Sequence, residues 1–492
     1  MKTPFFPAWR SRLAPARSSL RLSADSCARA TLCQIEQTLG PALPPDLLQK
    51  PVRGPHCRRR VFPMCRTFWC WVWQIFQRNT SCREVLRQLQ ALLGLLELPP
   101  VDEDGSAYCQ ARQKLPTHRL EAIFQASFLS AEKKAPPRSR LQGRPVKVVD
   151  ASTVRLEDTP KNRAAFPPSP NQYSRPGFPL LKLLALFSLR SGALLARATG
   201  SLQIAETRLL LGLAEHLQPG DILTGDRAYG LYILLHWTYG LGADLVARLN
   251  CRSRHVDFRQ RLKKLGPGDA LFLWQKPKVP SPLLTAQQWA QVPDTLVVRV
   301  VRRRIVQPGV RTRELTLVTT LLDPDLYPAN ELFELYFQRW RLEMCLDDLK
   351  TTLGMEKLNC RTPAMVQKEL LLFLTAHNFL RWIMAQAAQE GSAPWERISF
   401  KGTLDAFRQW SEALAQVRGP GKLAKQKALW RQLLRIVAAD SVPQRPGRKE
   451  PRAVKKKSKY PRLTRPRHSY IDRWSRNKKR RARRTKLRAL LN

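Results

Sequence analysis

The sequence has few acidic residues, no closely paired cysteines and no long uninterrupted apolar run. Asp and Glu together number 38 among 492 residues, against 85 Lys and Arg, so the formal net charge is +47. This imbalance exceeds what solubility requires and indicates a polyanionic partner. Because phosphate contacts are independent of base sequence, the charge alone leaves ribosomal and membrane-surface proteins open as well.

The longest apolar runs are too short or too interrupted to cross a bilayer. They lie around 68–76 and 369–384, and the second contains His377, Asn378 and Arg381. We therefore expect no transmembrane segment. The first 33 residues are rich in Arg, Ser and Ala, which superficially resembles a transit peptide, but a disordered basic arm is the preferred interpretation.

The ten cysteines include no C-x-x-C pair, which is typical of reduced thiols in a cytoplasmic protein. Cys57, Cys65, Cys70 and Cys82, with His56 nearby, are the one set that offers enough zinc ligands. Their spacing matches no common zinc-binding pattern. Buried free thiols beside the neighbouring tryptophans are the simpler interpretation.

Changes of periodicity and composition divide the chain into segments. Helical periods precede a proline-rich stretch near residue 140, and strand-like periods follow it. Beyond residue 444 the chain is dense in basic residues and proline. The predicted segments are a basic, disordered arm (1–35), a helical N-terminal domain (36–135), the first part of a core (144–250), a β-rich insertion (251–321), the second part of the core (322–400), and a helical, then basic and disordered tail (401–492).

The first part of the core is predicted to be an α/β unit, a mixed sheet covered by helices. Its predicted strands are 146–149, 180–189, 193–199, 221–224 and 243–249, and its predicted helices are 206–217 and 231–239. On this interpretation Asp150 and Asp226 each lie just past the end of a strand. Such positions are where α/β sheets usually carry their functional sites.

The segment ELYFQRWRLEMCLDDLK is the most informative stretch, and it has a helical period. At about 100° per residue, Tyr336, Arg339, Glu343 and Lys350 fall within roughly 60° of one another on a helix. A solvated face with ion pairs is the ordinary explanation of such a stripe. Asp347 lies one turn beyond Glu343 and remains a rival carboxylate at this point.

Asp150, Asp226 and one carboxylate from this helix suit a pair of Mg²⁺ ions, because Mg²⁺ prefers hard oxygen ligands. One ion can activate an attacking water or 3′-hydroxyl while the other stabilises the leaving oxygen. In a strongly basic chain, this combination favours a phosphodiester-processing enzyme.

These residues resemble the DDE transposases of bacterial insertion sequences, specifically the insertion sequence 4 family. The family signature Y-x-x-R-x-x-x-E-x-x-x-x-x-x-K is present without a gap as Tyr336, Arg339, Glu343 and Lys350. The motifs VVDAST and TGDRAYG contain Asp150 and Asp226, and SAYCQARQKLP resembles the segment that precedes the family's core. The resemblance covers roughly residues 106–382.

The resemblance implies a ribonuclease-H-like core whose Asp150, Asp226 and Glu343 hold two Mg²⁺ ions, with Mn²⁺ able to substitute. It implies cleavage at transposon ends and strand transfer into target DNA, by a homodimer bound to double-stranded DNA in the bacterial cytoplasm, associated with the nucleoid. Arg339, Lys350 and Tyr336 are implied to contact the DNA backbone. Trp340 could hold a flipped base, although a core tryptophan is the preferred interpretation.

Two alternatives stay open on the sequence. One is a domesticated or decayed derivative that binds DNA without cutting it, although the presence of all three carboxylates opposes it. The other is a ribonuclease-H-like nuclease, because that core serves many polynucleotide enzymes. The basic tail is expected to be a nonspecific electrostatic clamp.

Overall fold

The computed structural model describes most of the chain between residues 33 and 443. The described residues are 33–54, 56–57, 61–95, 101, 104–136, 140–168, 177–250, 254–305, 314–391, 393–417 and 421–443. Nearly all of the predicted basic arm, and the basic end of the predicted tail from residue 444, lie outside them.

The N-terminal part is helical, as its periodicity predicts. Its helices are α1 (Cys33–Leu39), α2 (Met64–Phe76), α3 (Cys82–Leu95), α4 (Ser106–Lys114) and α5 (Thr117–Lys134). Helix α2 is apolar on nearly every face, and its residues Phe68, Trp69 and Trp71 are fully buried. A helix of this composition must be covered on all sides, so α2 is the centre of the helical unit.

A mixed sheet follows the helical unit. Its strands up to residue 248 are β1 (Arg140–Leu141), β2 (Arg144–Leu156), β3 (Leu180–Ser188), β4 (Leu194–Ser201), β5 (Ile222–Gly225) and β6 (Asp244–Arg248). The helices among them are α6 (Pro160–Ala165), α7 (Glu206–Leu211) and α8 (Tyr232–Gly240). The predicted helix 206–217 is shorter than expected, since a 3-10 turn at Ala214–His216 replaces its second half.

The segment 251–321 adds further strands to the same sheet. They are β7 (Lys263–Gly266), β8 (Asp269–Gln275), β9 (Thr295–Arg304) and β10 (Glu314–Thr319), with α9 (Ala286–Ala290) between β8 and β9. Strand β10 pairs antiparallel with β6. The β-rich segment therefore continues the sheet of the preceding segment.

Helices return after β10. They are α10 (Ala329–Asp347), α11 (Pro363–Glu390), α12 (Phe400–Gln416) and α13 (Leu423–Ala439), and the short strand β11 (Lys357–Leu358) lies between the first two. Helix α11 is buried along most of its length and packs against α2, α5 and α13. No helix of the described segments has the length and apolar character needed to cross a membrane.

Within the segments that the structure describes, the sheet has eleven strands, in the order β4-β3-β2-β5-β6-β10-β9-β8-β7, with β1 and β11 paired to β2. Only β2–β5, β5–β6 and β11–β2 are parallel pairs. Strand β2 alternates between two cores, because Val146, Val148 and Val154 face the core that includes α11 while Val149 faces the core that includes α8. The expected α/β class with a mixed, helix-covered sheet is confirmed.

Candidate active site

Asp150 lies inside a strand, which corrects the expectation that it follows a strand end. The antiparallel β2–β3 ladder continues from Lys147 to Arg155, so β2 extends well past Asp150. On its other edge β2 pairs with β5 only as far as Val148 and Thr224. The sheet opens there, and the Asp150 side chain stands beyond the last parallel pair, where it is 22% exposed.

Asp226 follows β5 directly, as the sequence predicts, and two glycines shape its loop. A Cβ atom on Gly225 would lie 2.5 Å from the Tyr229 ring, and one on Gly230 would lie 2.7 Å from the carbonyl oxygen of Arg248. Both positions therefore require glycine for close packing. The Asp226 carboxylate accepts a 2.7 Å hydrogen bond from the amide of Ala228, which orients it at the end of β5.

Glu343 is carried by α10, which packs across β2, β5 and β6. The buried faces of this helix include Leu335, Leu346 and the aromatic ring of Tyr336. These contacts place Glu343 near the opening between β2 and β5, where its charge acts on Asp150. The signature helix therefore faces the opening between β2 and β5.

Arg339 lies between two of the three acidic side chains. Its Nη2 atom donates a 2.7 Å hydrogen bond to Oε1 of Glu343, and its Nη1 atom is 4.0 Å from Oδ2 of Asp150. The guanidinium carbon is 5.5 Å from the centre of the Tyr336 ring. The two family motifs that contain Asp150 and Glu343 thus meet through one arginine.

The carboxylates influence one another electrostatically. Burial raises the pKa of Asp150 to about 6, while the amide of Ala151 and the charge of Arg339 oppose that rise and the charges of Glu343 and Asp226 add to it. Burial lowers the pKa of Arg339, but Tyr336, Glu343 and Asp150 outweigh it, so the net shift is upward. Three acidic groups and one permanent cation therefore share a partly desolvated site.

The donor chemistry of this site suits a hard divalent cation, because all three acidic side chains offer oxygen. Across the described segments, no group of three or more His, Cys, Asp or Glu side chains is close enough together to hold a metal ion. The guanidinium of Arg339 lies between Asp150 and Glu343, which explains why these two carboxylates are held apart. The position of the Arg339 cation beside Asp150 and Glu343 indicates that these carboxylates attract positive charge.

Trp340 is exposed, so the preferred interpretation of it as a core residue is wrong. Its side chain is 65% accessible, and Phe337 and Met344 are exposed on the same side of α10. Tyr336 has the opposite environment, because it is almost fully buried beneath Arg339. The helix thus has an aromatic outer edge beside its charged stripe.

Lys350 does not lie on the same regular helix as the other signature residues. The α-helix ends at Asp347, and a π-helical turn covers Asp348–Thr352. The prediction that Lys350 shares a sector of roughly 60° with Arg339 and Glu343 assumed a regular α-helix. It is therefore wrong for Lys350. Asp347 is exposed, one turn beyond Glu343.

Two residues at the site were not recognised from the sequence as part of it. Arg381 is buried on α11, and its Nη2 atom donates hydrogen bonds to Asp348 at 2.8 Å and to the Cys345 thiol at 3.2 Å, which holds the π turn. Within the described segments, the buried hydroxyl of Tyr229 has no hydrogen-bond partner, and burial raises its pKa, with the charges of Glu206, Asp226 and Asp150 adding to the rise. An arginine inside an apolar helix was the available signal for Arg381, and Tyr229 stands in the TGDRAYG motif three residues after Asp226, although no role was assigned to it.

Comparison with known proteins agrees with these motifs. The family described as Transposase DDE domain matches residues 141–379. The transposase InsG of insertion sequence element IS4, from Escherichia coli strain K12, is 26% identical over 441 residues, which cover 86% of this chain and 93% of that protein. The piggyBac transposase, solved by cryo-EM as a synaptic complex with hairpin DNA, superimposes with a TM-score of 0.41 and 10% identity over 86% of this chain and 87% of that one. The match to the DDE domain over residues 141–379, together with the relative that aligns along nearly its whole length, supports an insertion sequence 4-like DDE transposase.

Proposed function

We propose that this transposase cleaves DNA at transposon ends and joins those ends to target DNA, with Asp150, Asp226 and Glu343 as its catalytic carboxylates. The single observation that carries the proposal is that Arg339 lies between Asp150 and Glu343 where the sheet opens between β2 and β5, with Asp226 close enough for its charge to act on Asp150. Buried like charges are costly, and a protein retains them where they hold a cation.

DDE transposases use divalent metal ions, and we propose Mg²⁺ for this chain, as two ions that Mn²⁺ can replace. Asp150, Asp226 and Glu343 would hold them. Bound divalent ions supply activation of a water or 3′-hydroxyl nucleophile and stabilisation of the leaving oxygen. The protein contributes rigid placement, because two of the carboxylates come from the sheet and one from a helix packed across it.

We assign DNA contacts to the signature helix. Arg339 remains charged, and its buried Nε atom has no acceptor among the described residues, so it can donate to a phosphate oxygen. Lys350 would bind a second phosphate from the π turn. Tyr336, which is buried, would act on the backbone by supporting Arg339 from below.

Trp340 is the residue we assign to base stacking. Its exposed indole ring on α10, beside Phe337 and Met344, has the accessibility that stacking on an unpaired base requires. Stacking of this kind tolerates any base, because every base has a π face. The contribution of Trp340 would therefore be to hold a distorted DNA end without reading its sequence.

The sheet order supports a ribonuclease-H-like core. An antiparallel trio, β2, β3 and β4, is followed by the parallel strands β5 and β6, and the antiparallel strands of 251–321 precede the helix that carries Glu343. We propose the same division of the chain as the sequence suggested, with a helical domain at 36–135 and a β-strand insertion at 251–321. The tail 401–492 begins as helices α12 and α13.

Double-stranded DNA is the partner we propose, as transposon ends and as target. One chain holds one set of carboxylates, and two ends must be joined together, so we propose a homodimer in the synaptic complex. Because chromosomal DNA is the substrate and the InsG relative is bacterial, we propose a bacterial cytoplasmic protein associated with the nucleoid.

In the deciding experiment, purified protein is incubated with DNA that carries the terminal inverted repeats, with a target plasmid, and with Mg²⁺ or Mn²⁺. We expect nicks at the repeat ends and products joined to target DNA. DNA binding without nicking in either metal would support an inert derivative. Nicking without any joined product would support a ribonuclease-H-like nuclease.

A further inference from the structure

A cluster of thiols around a buried arginine lies between the helical N-terminal part and the following sheet and helices, apart from the candidate active site. Cys82 begins α3, Cys109 belongs to α4, and Cys360 follows β11. These three thiols line one cavity of about 670 Å³ together with Arg112 and Glu369. Cys82 and Cys109 are partly exposed, whereas Cys360 is buried.

Arg112 organises the cluster. Its Nη1 atom donates to Sγ of Cys82 at 3.1 Å and its Nη2 atom donates to Sγ of Cys360 at 3.4 Å. The guanidinium carbon is 3.9 Å from the centre of the Trp71 ring, and the side chain is only 6% exposed. Its Nε atom has no partner among the described residues, and the charge of the nearby Glu369 is one of the causes that raise its pKa. A buried guanidinium in this position favours an anion nearby.

Cys82 is the group best placed to supply that anion. Its thiol hydrogen-bonds Cys109, receives the Arg112 hydrogen bond, and lies 3.9 Å from the donating side-chain amide of Gln74. It also occupies the first turn of a 14-residue helix, where the helix dipole favours negative charge. The hydrogen bond from Cys109 is the largest cause of a pKa lowered to about 6 for Cys82, which burial opposes and Arg112 assists.

Cys109 has the complementary property. Its hydrogen bond to Cys82 is the largest cause of a raised pKa, and burial acts in the same direction. Of the two thiols, Cys82 ionises first, because it receives the Arg112 hydrogen bond and lies in the first turn of α3, and Cys109 keeps its proton. A thiolate beside a protonated thiol, both reachable from solvent, is the arrangement of a reactive cysteine with its resolving partner.

We propose that Cys82 is a hydroperoxide-reactive thiolate and Cys109 its resolving thiol, so that oxidation joins α3 to α4 by a disulfide. The Cys82 sulfur would attack the outer oxygen of the hydroperoxide, breaking the O–O bond and releasing an alkoxide or hydroxide, to give a sulfenic acid. The Cys109 sulfur would then displace that oxygen as water, using the thiol proton of Cys109 and leaving the disulfide. The two sulfurs lose two electrons together, and the hydroperoxide accepts them.

Oxidation would change the charge at the junction between the two parts of the chain. The disulfide removes the anion beside Arg112, which also hydrogen-bonds Cys360 across that junction. Glu369 is nearby and already accepts hydrogen bonds from the amides of Asn359 and Cys360 and from Asn79. We therefore expect the oxidised protein to show faster hydrogen exchange in α4 and around residue 360.

The test treats the full-length, fully reduced protein with limiting hydrogen peroxide in a chelating buffer at pH 7. Thiols are trapped at intervals with isotopically distinct alkylating reagents and measured by mass spectrometry. Cys57 and Cys65 are the internal controls, since they are also partly exposed and the thiol of Cys65 donates a hydrogen bond to the carboxylate of Glu36. Because a thiolate reacts and a thiol does not, we expect Cys82 to be lost at least about tenfold faster than either control.

Two variants separate the steps of the reaction. In Cys109→Ser we expect a sulfenic acid at Cys82 that a dimedone probe captures, and in Cys82→Ser we expect Cys109 to react no faster than the controls. Loss of Cys82 at the same rate as Cys57 and Cys65 in the unmodified protein would overturn the proposal without any variant. So would a disulfide that excludes Cys82 or Cys109. None of these measurements depends on DNA cleavage, so the outcome is independent of the proposed function.

Discussion

Arg299 and Arg339 are both withdrawn from solvent beside a carboxylate, yet their hydrogen bonding is very different. Arg299, on β9, donates from Nε and Nη2 to the two oxygens of Asp269 at 2.8 and 2.5 Å. Its Nη1 atom donates to the carbonyl oxygens of Asp323 and Tyr327 at 3.1 and 2.7 Å. Arg339, on α10, has one short bond to Glu343, a 4.0 Å approach to Asp150, and a buried Nε atom with no acceptor among the described residues.

The difference separates a structural ion pair from a functional one. Arg299 and Asp269 satisfy each other in a bidentate arrangement, and they connect β8 and β9 to the loop before α10. A pair of this kind is costly to break, because the remaining charge is left buried. Arg339 instead lies near two carboxylates and makes a short hydrogen bond to only one of them, Glu343. The remaining negative charge suits a site where a further cation and a phosphate are to bind.

The largest effect should come from neutralising the candidate carboxylates. We expect Asp150→Asn, Asp226→Asn and Glu343→Gln each to reduce strand cleavage at least roughly ten-thousandfold, because each removes a proposed metal ligand. DNA binding should remain. Asp347→Asn, one turn further along α10, is the matched control, and cleavage should be retained in it. Retained cleavage in Glu343→Gln with loss in Asp347→Asn would assign the catalytic role to the other carboxylate.

The next largest effect should be on stability, at the satisfied pair. Asp269→Ala leaves the Arg299 charge buried without its partner, and we expect a loss of about 3 to 5 kcal/mol in the free energy of unfolding. Chemical denaturation measures it. Glu314→Ala on the neighbouring strand removes the exposed Arg302–Glu314 pair and should cost less than about 1 kcal/mol. Similar losses in the two variants would contradict the contrast between the satisfied and the open pair.

Neutralising Asp150 should change stability in the opposite direction from Asp269→Ala, because it should raise the free energy of unfolding. The pKa of Asp150 is raised to about 6 from 3.8 in the fold, so the folded state holds its proton where the unfolded state has lost it. The contribution of Asp150 to the free energy of unfolding of the unmodified protein therefore falls as pH rises from about 4 to about 6. With a chelator present, we expect Asp150→Asn to be more stable than the unmodified protein by about 3 kcal/mol at pH 7 and nearly equal to it near pH 4.

The control for this measurement is Asp347→Asn, which makes the same chemical change at an exposed side chain one turn beyond Glu343. If Asp150→Asn were equally or less stable at pH 7, the claim that the candidate site is an electrostatically open cluster would be wrong.

The smallest effect should be on the salt dependence of DNA binding. If Arg339 binds a phosphate, Arg339→Gln should reduce the slope of log affinity against log salt concentration by about 0.9. Arg435→Gln, an exposed arginine on α13 that pairs with Glu390, is the control. An unchanged slope in Arg339→Gln would mean that this guanidinium serves only to neutralise carboxylates.

Local patterns predicted the secondary structure well where an element depends on its own residues. The helical N-terminal part, the strands from β3 to β6 and the helix of the signature residues were all predicted at nearly their observed positions. The errors have tertiary causes. Strand β2 extends past Asp150 because β3 supplies a partner there, and helix 206–217 is shortened by a 3-10 turn. The expectation for Lys350 failed because Arg381, on another helix, holds a π turn through Asp348.

The candidate residues themselves could be named from short motifs, but their environments could not. Trp340 was expected in the core and is exposed, because α10 turns its Tyr336 and leucine faces to the sheet. The Cys82–Cys109–Arg112 cluster carried no recognisable spacing, since Cys82 lies on α3 whereas Cys109 and Arg112 lie on α4.

By itself, the sequence determined which chemical groups are available. They are carboxylates in two strand-associated motifs, a Tyr–Arg–Glu stripe at helical spacing, and an excess of positive charge. Those properties depend on residue type and on separations of a few positions, which a single helix or strand converts directly into geometry. Only the tertiary structure decided that Arg339 lies between Asp150 and Glu343, and that Cys82 meets Cys109 beside a buried guanidinium. These contacts join residues far apart in the chain, and the pairing of strands and packing of helices that bring them together are not encoded in any local period.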